Sequence, residues 1–543
     1  MAASLAFPYW GWDGLRTVGP AIGVLAGCVL LAGYRRRCVS VVALGAAVAV
    51  LAGALILWRL RNPVTTVSPV LRRLLVQARS PTALDLGLVG AVLLVLAGLG
   101  AISLWRRGGV RHRVPALHGE AVLDGDRRVA LTVAWRALWT SRVIVWGAGL
   151  FGMLRFGVVA AGTGPSLARP FGHLGTLLLS PASAWDASAY LGIAQFGFGA
   201  GHADNAFFPL YPTVVRVGAW SPKAAILTGV VVSLLAALVA FYLLHRLVTL
   251  ECGRRTADLT ILVTAFFPLS FFYSAVYTES LFLALTVGAI YAARTDRWLA
   301  AGVAGALAAA TRPTGLVILC PLLVLYLYGP RPSAPRPTVA TSNRWRTALG
   351  VRYPARRDLA FLLLVPAGAF AVLALHGSHG DWLSPLHAAQ RYWGRRFVPF
   401  GAVVDGLRDA VRSVRQIAGG PGSHALPAPP LGEFSQPVKL ATADLTDVGF
   451  LALAIVTTFG AIRRLPAAYG VYAAVSVAVA ASTTSPFEPL ASFPRYVMVV
   501  FPCQIWLALW AQEHERRRLG LVIASAALLA LFASEFASWR WVA

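Results

Sequence analysis

The sequence predicts an all-α polytopic membrane protein, and three observations predict it. Hydrophobic residues make up 57% of the 543, with a mean hydropathy of +0.67. Only 13% are charged, against about 25% in a soluble protein. Apolar runs of about 20 residues, each long enough for a bilayer core of about 30 Å, recur along the whole chain. The runs are continuous, whereas a membrane β-barrel needs alternating segments of about 10 residues.

The charges fit the same class. The net charge is +26 and nearly all of it is arginine, Lys223 and Lys439 being the two lysines. The arginines cluster in short segments between apolar runs, as the positive-inside rule requires. Topology therefore accounts for the basic balance, and no nucleic-acid partner is expected. Cys28, Cys38, Cys252, Cys320 and Cys503 are scattered without a C-x-x-C pair, so neither a disulfide framework nor a zinc site is expected. The start, MAASLAFPYWGWDGLR, has no charged n-region and no clear small-residue cleavage site, so no cleaved signal peptide is expected.

The first spans are expected near 17–34, 38–58 and 83–105, with RRR at 35–37 and RRGGVRHR at 106–113 on the cytoplasmic side. The segment 59–82 carries five arginines yet falls outside on strict alternation. It reads either as a misplaced span or as an amphipathic surface helix. The Arg-rich linker 106–128, ending in DGDRR, separates a three-span extension (1–128) from the main body (129–543).

The body is expected to open with a span near 139–161, followed by a long non-spanning segment, 162–222, rich in Gly, Pro and aromatics. Further spans follow near 223–247, 257–276 and 279–294. Residues 298–328 are mostly apolar but carry TRPTG at 311–315. Pro313 removes a helical hydrogen bond and disfavours helix before it. The stretch reads as two short helices with a break at the outer face. That choice puts the seven arginines from Arg331 to Arg357 in the cytoplasm. The remaining spans are expected near 358–375, 446–462, 465–483, 494–511 and 519–536, with a second long outer segment at 376–445. The count is about 14, each of the length a bilayer crossing needs. Three irregular segments, 162–222, 376–445 and 484–495, then project from one face. Irregular backbone near a membrane survives packed on protein or lining a wet cavity, so a shared external site is expected there.

Within SAWDASAYLGIAQFGF at 183–198, Asp186 has two readings. In the first, Ser183 or Asp186 begins an amphipathic helix as its N-cap, with Trp185, Tyr190 and Phe196 as interface anchors. In the second, Asp186 is a general base in a partly dry site. Glu279 falls at the outer end of a span and Arg312 in the hairpin break. A charge in the membrane costs at least about 2.5–3.5 kcal/mol and usually pairs or serves function. The two therefore read as a mutual salt bridge, or Arg312 reads as an anion ligand. Arg495, in ASFPRYVMVVFP, is outside, where positive-inside does not account for it. It reads as a snorkelling side chain or as a ligand for a lipid phosphate at a helix start. The outer segment HGSHGDWLSPLHAAQRYWGRR at 376–396 adds His379, Asp381, His387, Gln390, Arg391, Tyr392 and the pair Arg395, Arg396. Their spacing matches no metal signature, so no metal is expected. Trp382 and Trp393 suit stacking on a sugar or anchoring at the interface.

The order of the motifs carries a resemblance. WDASAY at 185–190, FFPLYP at 207–212, FPLSFFYSAVYTESLF at 267–282, ATRPTGL at 310–316, AQRYW at 389–393 and FPRYVMVVFP at 493–502 come in the order and rough spacing of the PIG-V-type mannosyltransferases. These are polytopic enzymes of the GT-C class. The resemblance covers about 130–540 and leaves the first 128 residues outside. It implies a GT-C-like helix bundle with long extracytoplasmic loops. It also implies a hexose, usually mannose, carried on a polyprenyl or dolichyl phosphate and transferred with inversion to a glycolipid or other extracytoplasmic acceptor, with no nucleotide and no cofactor. Asp186 matches the family's acidic residue in the first long external loop, the general base. Arg312 and Arg495 would hold the donor phosphate, and Trp185, Tyr190, Glu279, Gln390, Arg391 and Trp393 are weaker substrate contacts. The expected location is a bacterial plasma membrane with the site on the extracytoplasmic face. In one departure, Arg312, Pro313, Thr314 and Gly315 stand where members of the eukaryotic glycosylphosphatidylinositol pathway usually carry an Arg-Ser-Asn-Gly-like stretch, which leaves the acceptor open. A rival reading is a lipid or lipid-linked-sugar flippase, which predicts charged pairs near the bilayer midplane and an alternating-access repeat.

Overall fold

The computed structural model describes residues 119–156, 171, 173–199, 203–329, 353, 355–419, 426, 437–486, 488–540 and 542. The three expected N-terminal spans and the segment 59–82 lie outside the described residues. What is described is a helical membrane protein. Five helices are long and apolar enough to cross a bilayer, and four shorter apolar helices accompany them.

Helix α1 (Gly119–Phe156) leads into α2 (His173–Leu179) and α3 (Ala187–Phe196). After α4 (Leu210–Arg216) come the long α5 (Pro222–Cys252) and the short α6 (Arg254–Ala265). Then follow α7 (Glu279–Arg294), α8 (Trp298–Thr311) and α9 (Leu319–Tyr328). On the far side of the basic segment stand α10 (Leu364–Gly377), α11 (Ser384–Trp393) and α12 (Gly401–Gly419). The chain closes with α13 (Pro437–Arg464), α14 (Ala467–Ala481), α15 (Phe493–Val497), α16 (Phe501–Ala511) and α17 (Glu515–Ala537). A two-residue antiparallel bridge joins β1 (Arg396–Phe397) to β2 (Thr483–Thr484).

Local signals account for most of the boundaries. Ser221 caps α5, its side chain accepting from the Ala224 amide at 3.2 Å, with Pro222 in the first turn. Gly253, at φ 83°, ends α5 and starts α6, a backbone state that favours glycine. α8 stops at Arg312, which is extended ahead of Pro313. A 3-10 turn, Pro313–Ile318, folds back on α8 so closely that a Cβ on Gly315 would meet the Ala308 carbonyl oxygen at 2.1 Å. The break predicted in 298–328 is present.

Three expected spans differ. The one near 139–161 belongs to a helix that begins earlier, at Gly119. Its first part is too polar to stand out in hydropathy, yet Ala130, Ala134, Ala137, Leu138 and Ser141 form a buried stripe at helical spacing. The span near 257–276 is two pieces: α6 ends at Ala265 and a 3-10 turn occupies Ser270–Tyr273. Pro268 disfavours helix immediately before it. The span near 494–511 is broken between α15 and α16, with Pro502 in the first turn of α16. The segments 162–222 and 376–445, expected to be irregular, hold α2, α3 and α4, and α11 and α12.

α5 packs on α7 and α1, α1 on α17, α8 on α7 and α10, and α13 on α12, α14 and α16. One large apolar core runs through this bundle. Buried polar groups mark its two ends. At one end Glu251 of α5 pairs with Arg294 of α7 and accepts from Tyr469 of α14 at 2.9 Å. Inside the core, Arg142 of α1 is 1% exposed. It donates to the Ser270 carbonyl at 2.6 Å, the Ser270 hydroxyl at 2.9 Å and the Ser274 hydroxyl at 2.8 Å. It therefore pins the 3-10 turn that follows α6, the fixed fork of a guanidinium reaching three acceptors of that turn at once. Arg142→Leu would strand these acceptors at about 1–3 kcal/mol each. A clearly lower thermal unfolding midpoint of the purified protein in detergent is expected, and an unchanged midpoint would remove this role.

Candidate functional site

Four charged side chains from four separate segments meet at the end of the bundle opposite Glu251. α7 runs from Glu279 to Arg294, so the two buried acidic groups are separated by its length, about 24 Å at 1.5 Å per residue. Arg495 of α15 donates from Nη1 to Asp186 Oδ2 at 2.9 Å and from Nε to Glu279 Oε1 at 3.0 Å. Arg312, in the hairpin break, lies with Nη1 3.2 Å from the same Glu279 oxygen, out of line for a hydrogen bond. The order is Asp186, Arg495, Glu279, Arg312: two carboxylates and two guanidiniums.

Burial differs along this row. Glu279 is fully buried, while Arg312 and Arg495 are each 7% exposed. Asp186 is the open end, with its side chain 26% exposed. Its Oδ1 has no hydrogen-bond partner among the described residues, Oδ2 being the oxygen that meets Arg495. Asp186 stands at the N-cap position of α3, but its side chain makes no capping bond. The capping reading therefore fails, and the side chain is aimed at Arg495 instead. Arg495 is inward-facing, so the snorkelling reading fails as well. The salt bridge of Glu279 with Arg312 exists, extended by Arg495.

Aromatic rings enclose the guanidiniums. The Arg495 guanidinium carbon is 4.9 Å from the centres of both the Phe272 and Tyr277 rings. That of Arg312 is 5.0 Å from Tyr496 and 5.5 Å from Phe282. Ring faces carry negative potential, so they receive a desolvated cation favourably. Tyr277 also ties down the backbone: its hydroxyl accepts from the Asp186 amide at 3.0 Å and donates to the Ala184 carbonyl at 3.1 Å. Tyr190 is buried edge-on against Phe207, Tyr211 and Tyr277 at 5.0–5.9 Å. Burial holds the Tyr190 and Tyr211 phenols above their ordinary range, so both stay neutral. Tyr190 is a wall of the site and not an interface anchor.

The backbone is strained on both sides of the ion pair. Trp185 sits at φ 56° and Ser492 at φ 62°, a region that costs a residue other than glycine on the order of 1–3 kcal/mol. Each is held by its surroundings. The Trp185 indole donates to the Arg540 carbonyl at 3.2 Å and packs 5.9 Å from Trp539. Ser492 accepts from Arg395 at 3.1 Å, and Arg395 also donates to the Tyr496 hydroxyl at 2.9 Å.

The other expected residues lie further out. Trp393 is half-buried and packs 5.9 Å from Phe207, which in turn packs on Tyr190. Gln390 and Arg391 are exposed on α11, and no contact among the described residues joins them to the four charges. Asp381 and His387 form an exposed pair at 2.8 Å, and Asp381 also accepts from the Leu383 amide. The hydrogen bond from His387 holds the Asp381 carboxyl below the usual carboxylate range. The pair fixes the turn into α11. Sequence reasoning missed Phe272, Tyr277, Tyr496 and Ser492, and it named Arg395 without giving it a role. Their aromatic and polar identities were visible, but the partner of each is remote in the chain.

Residues 172–327 match the family described as Mannosyltransferase (PIG-V). Three curated proteins called GPI alpha-1,6-mannosyltransferase 2 are similar to this chain. That of Mus musculus is 35% identical over 154 residues, which is 26% of this chain and 31% of the mouse protein. Those of Rattus norvegicus and Cricetulus griseus are 34% and 32% identical, each over 26% of this chain and 30% of their own length. The matched part thus spans about a third of these relatives. No solved structure matches. Asp186, Glu279 and Arg312 lie inside the matched segment and Arg495 outside it. The relatives are mammalian, and they give no support to a bacterial plasma membrane.

Glu279→Gln would leave two buried guanidiniums short of a counter-charge, with an expected loss of about 3–5 kcal/mol, as when a buried pair is broken. Adding Arg312→Met should recover part of that loss, read as a non-additive thermal unfolding cycle. Strict additivity would show that the pair is not coupled.

Proposed function

From a chain whose residues 172–327 match the PIG-V-type mannosyltransferase family, we propose an integral membrane enzyme of that family that transfers mannose from a polyprenyl-phosphate donor to a glycolipid acceptor at the extracytoplasmic face. The observation that carries the reading is the exposed end of the charge row. Asp186 is anchored by one oxygen, and its other oxygen is open.

In this reading the acceptor hydroxyl gives its proton to Asp186 Oδ1 while its oxygen attacks the anomeric carbon of the donor. The bond from that carbon to the phosphate oxygen breaks, and the sugar inverts in one displacement. The polyprenyl phosphate leaves with the charge of the broken bond. Arg312 and Arg495 stand close enough together to receive that charge as fixed cations, which suits a guanidinium pair and calls for no metal. Arg495 serves in this way by exchanging one of its carboxylates for the phosphate. Such an exchange would leave Asp186 without its guanidinium as the hydroxyl is activated. Trp185, Tyr190 and Trp393 shape the surroundings of Asp186. Gln390 and Arg391 remain as acceptor contacts only if α11 closes on the site. The flippase reading needs charged pairs near the midplane, whereas the pairs described here stand at helix ends.

Asp186→Asn keeps the size of the side chain and an oxygen for Arg495. Purified variant should fold and lose transfer from polyprenyl-phosphate-mannose by about 100-fold or more, the span of general base catalysis. A near-normal rate would overturn the base assignment. Label that crosses the membrane without covalent transfer would favour the flippase. For Arg312→Lys, donor binding should weaken several-fold while the rate at saturating donor changes less. Unchanged donor affinity would remove Arg312 from phosphate binding.

A further inference from the structure

We propose that α12 is an interfacial helix whose outward side lies on the lipid surface at the outer end of the bundle. The inference rests on the helix's own faces and position and does not depend on the transferase reading.

α12 has three faces. Gly406, Ser413 and Gln416 are buried against the protein, and a Cβ on Gly406 would meet Leu490 at 2.7 Å. On the opposite side Val404, Leu407, Val411 and Val414 are 49–56% exposed. Their 3-4-3 spacing makes a single stripe along the helix. Arg408, Arg412 and Arg415 run between these two faces. Arg408 and Arg412 pair with Asp405 at 3.3 Å and Asp409 at 2.9 Å. Arg415 has no ion pair among the described residues. An apolar stripe bordered by arginines is the pattern of a helix lying in the plane of a membrane, its stripe about 5–10 Å into the headgroup and acyl boundary.

The position of the helix says what covers the stripe. Ser413 donates to Asp444 of α13 at 2.8 Å. Asp444 stands in the polar stretch ATADLTD at 441–447, just ahead of the apolar run of α13 that begins at Val448. α12 therefore sits at the depth where a spanning helix enters the bilayer. Its start is fixed there too. The Val398 amide donates to the Ser482 carbonyl at 2.8 Å and the Phe400 amide to the Ser482 hydroxyl at 3.0 Å. Phe397 and Phe400, 69% and 57% exposed, extend the apolar surface ahead of the first turn. A soluble partner would have to leave this stripe at the membrane boundary, and lipid is the apolar phase already at that depth. The arginine border adds attraction for anionic headgroups.

Single cysteines placed at Val404, Leu407, Val411 and Val414, and at Arg408 and Arg412, in full-length protein lacking its native cysteines would test this. Each is labelled with a nitroxide and reconstituted in vesicles of phosphatidylcholine and phosphatidylglycerol. Collisions with oxygen should exceed those with a water-soluble nickel chelate several-fold at the four apolar sites, and the ratio should reverse at Arg412. Ready access of the chelate to all sites would put the helix in water and overturn the proposal. Low access of both reagents at the apolar sites would mean that protein covers the stripe, a partner or a second copy, and would overturn it equally. Four independent apolar positions keep the test readable if one variant fails to fold.

Discussion

The burial of Glu279 governs the outer end of this protein. A carboxylate with no exposure costs several kcal/mol unless it is paired and hydrogen-bonded. Arg495 and Arg312 supply the pairing, and each is delivered by a break in a helix: one between α15 and α16, the other between α8 and α9. The breaks at Pro313 and Pro502 are therefore part of the solution to Glu279. Arg495 has a further set of donors, which extends the row to Asp186 at the surface of the loop before α3. One buried charge thus brings together segments separated by 216 and 309 residues.

The aromatic residues make that row affordable to bury and give it a fixed shape. Phe272 and Tyr277 face Arg495, Phe272 from within the turn that Arg142 pins and Tyr277 from just after it. Tyr277 then holds the backbone of Asp186. A path of direct contacts therefore runs from α1 through the turn to the carboxylate. Trp185 and Ser492 bear the unfavourable backbone on either side of the Asp186–Arg495 pair. Strain of this kind persists where packing over-determines it, and it is commonest at sites that must present a group in one orientation.

The bilayer explains why the polar groups are placed as they are. The buried acid–base pairs stand at the two ends of α7, leaving its middle to apolar packing, since charge at the membrane centre is costly. Long apolar helices such as α5 expose Val231, Leu235 and Val239, which is natural where the surroundings are lipid. α12 repeats the same logic in the plane of the surface, with one side on α13 and the other apolar.

The sequence by itself determined the class, an all-α polytopic membrane protein, and the neighbourhood of many of the described apolar helices. Apolar length and arginine placement are local quantities, and each apolar run reports its own environment. The break at Arg312 was equally legible, because Pro313 acts on its immediate neighbours. Asp186, Glu279, Arg312 and Arg495 could be placed on one face by counting spans. Whether Asp186 caps its own helix or turns its carboxylate toward another charge could not be settled locally, since both put an acid at the start of a helix. Tertiary structure decided it by setting Arg495 beside Asp186. Only the fold could show that Tyr190 is walled in, that Gln390 and Arg391 are exposed on α11, and that α12 exists where a loop was expected. Pairing across hundreds of residues leaves no periodic trace, because it depends on which helix ends meet in space and not on the spacing within any one of them.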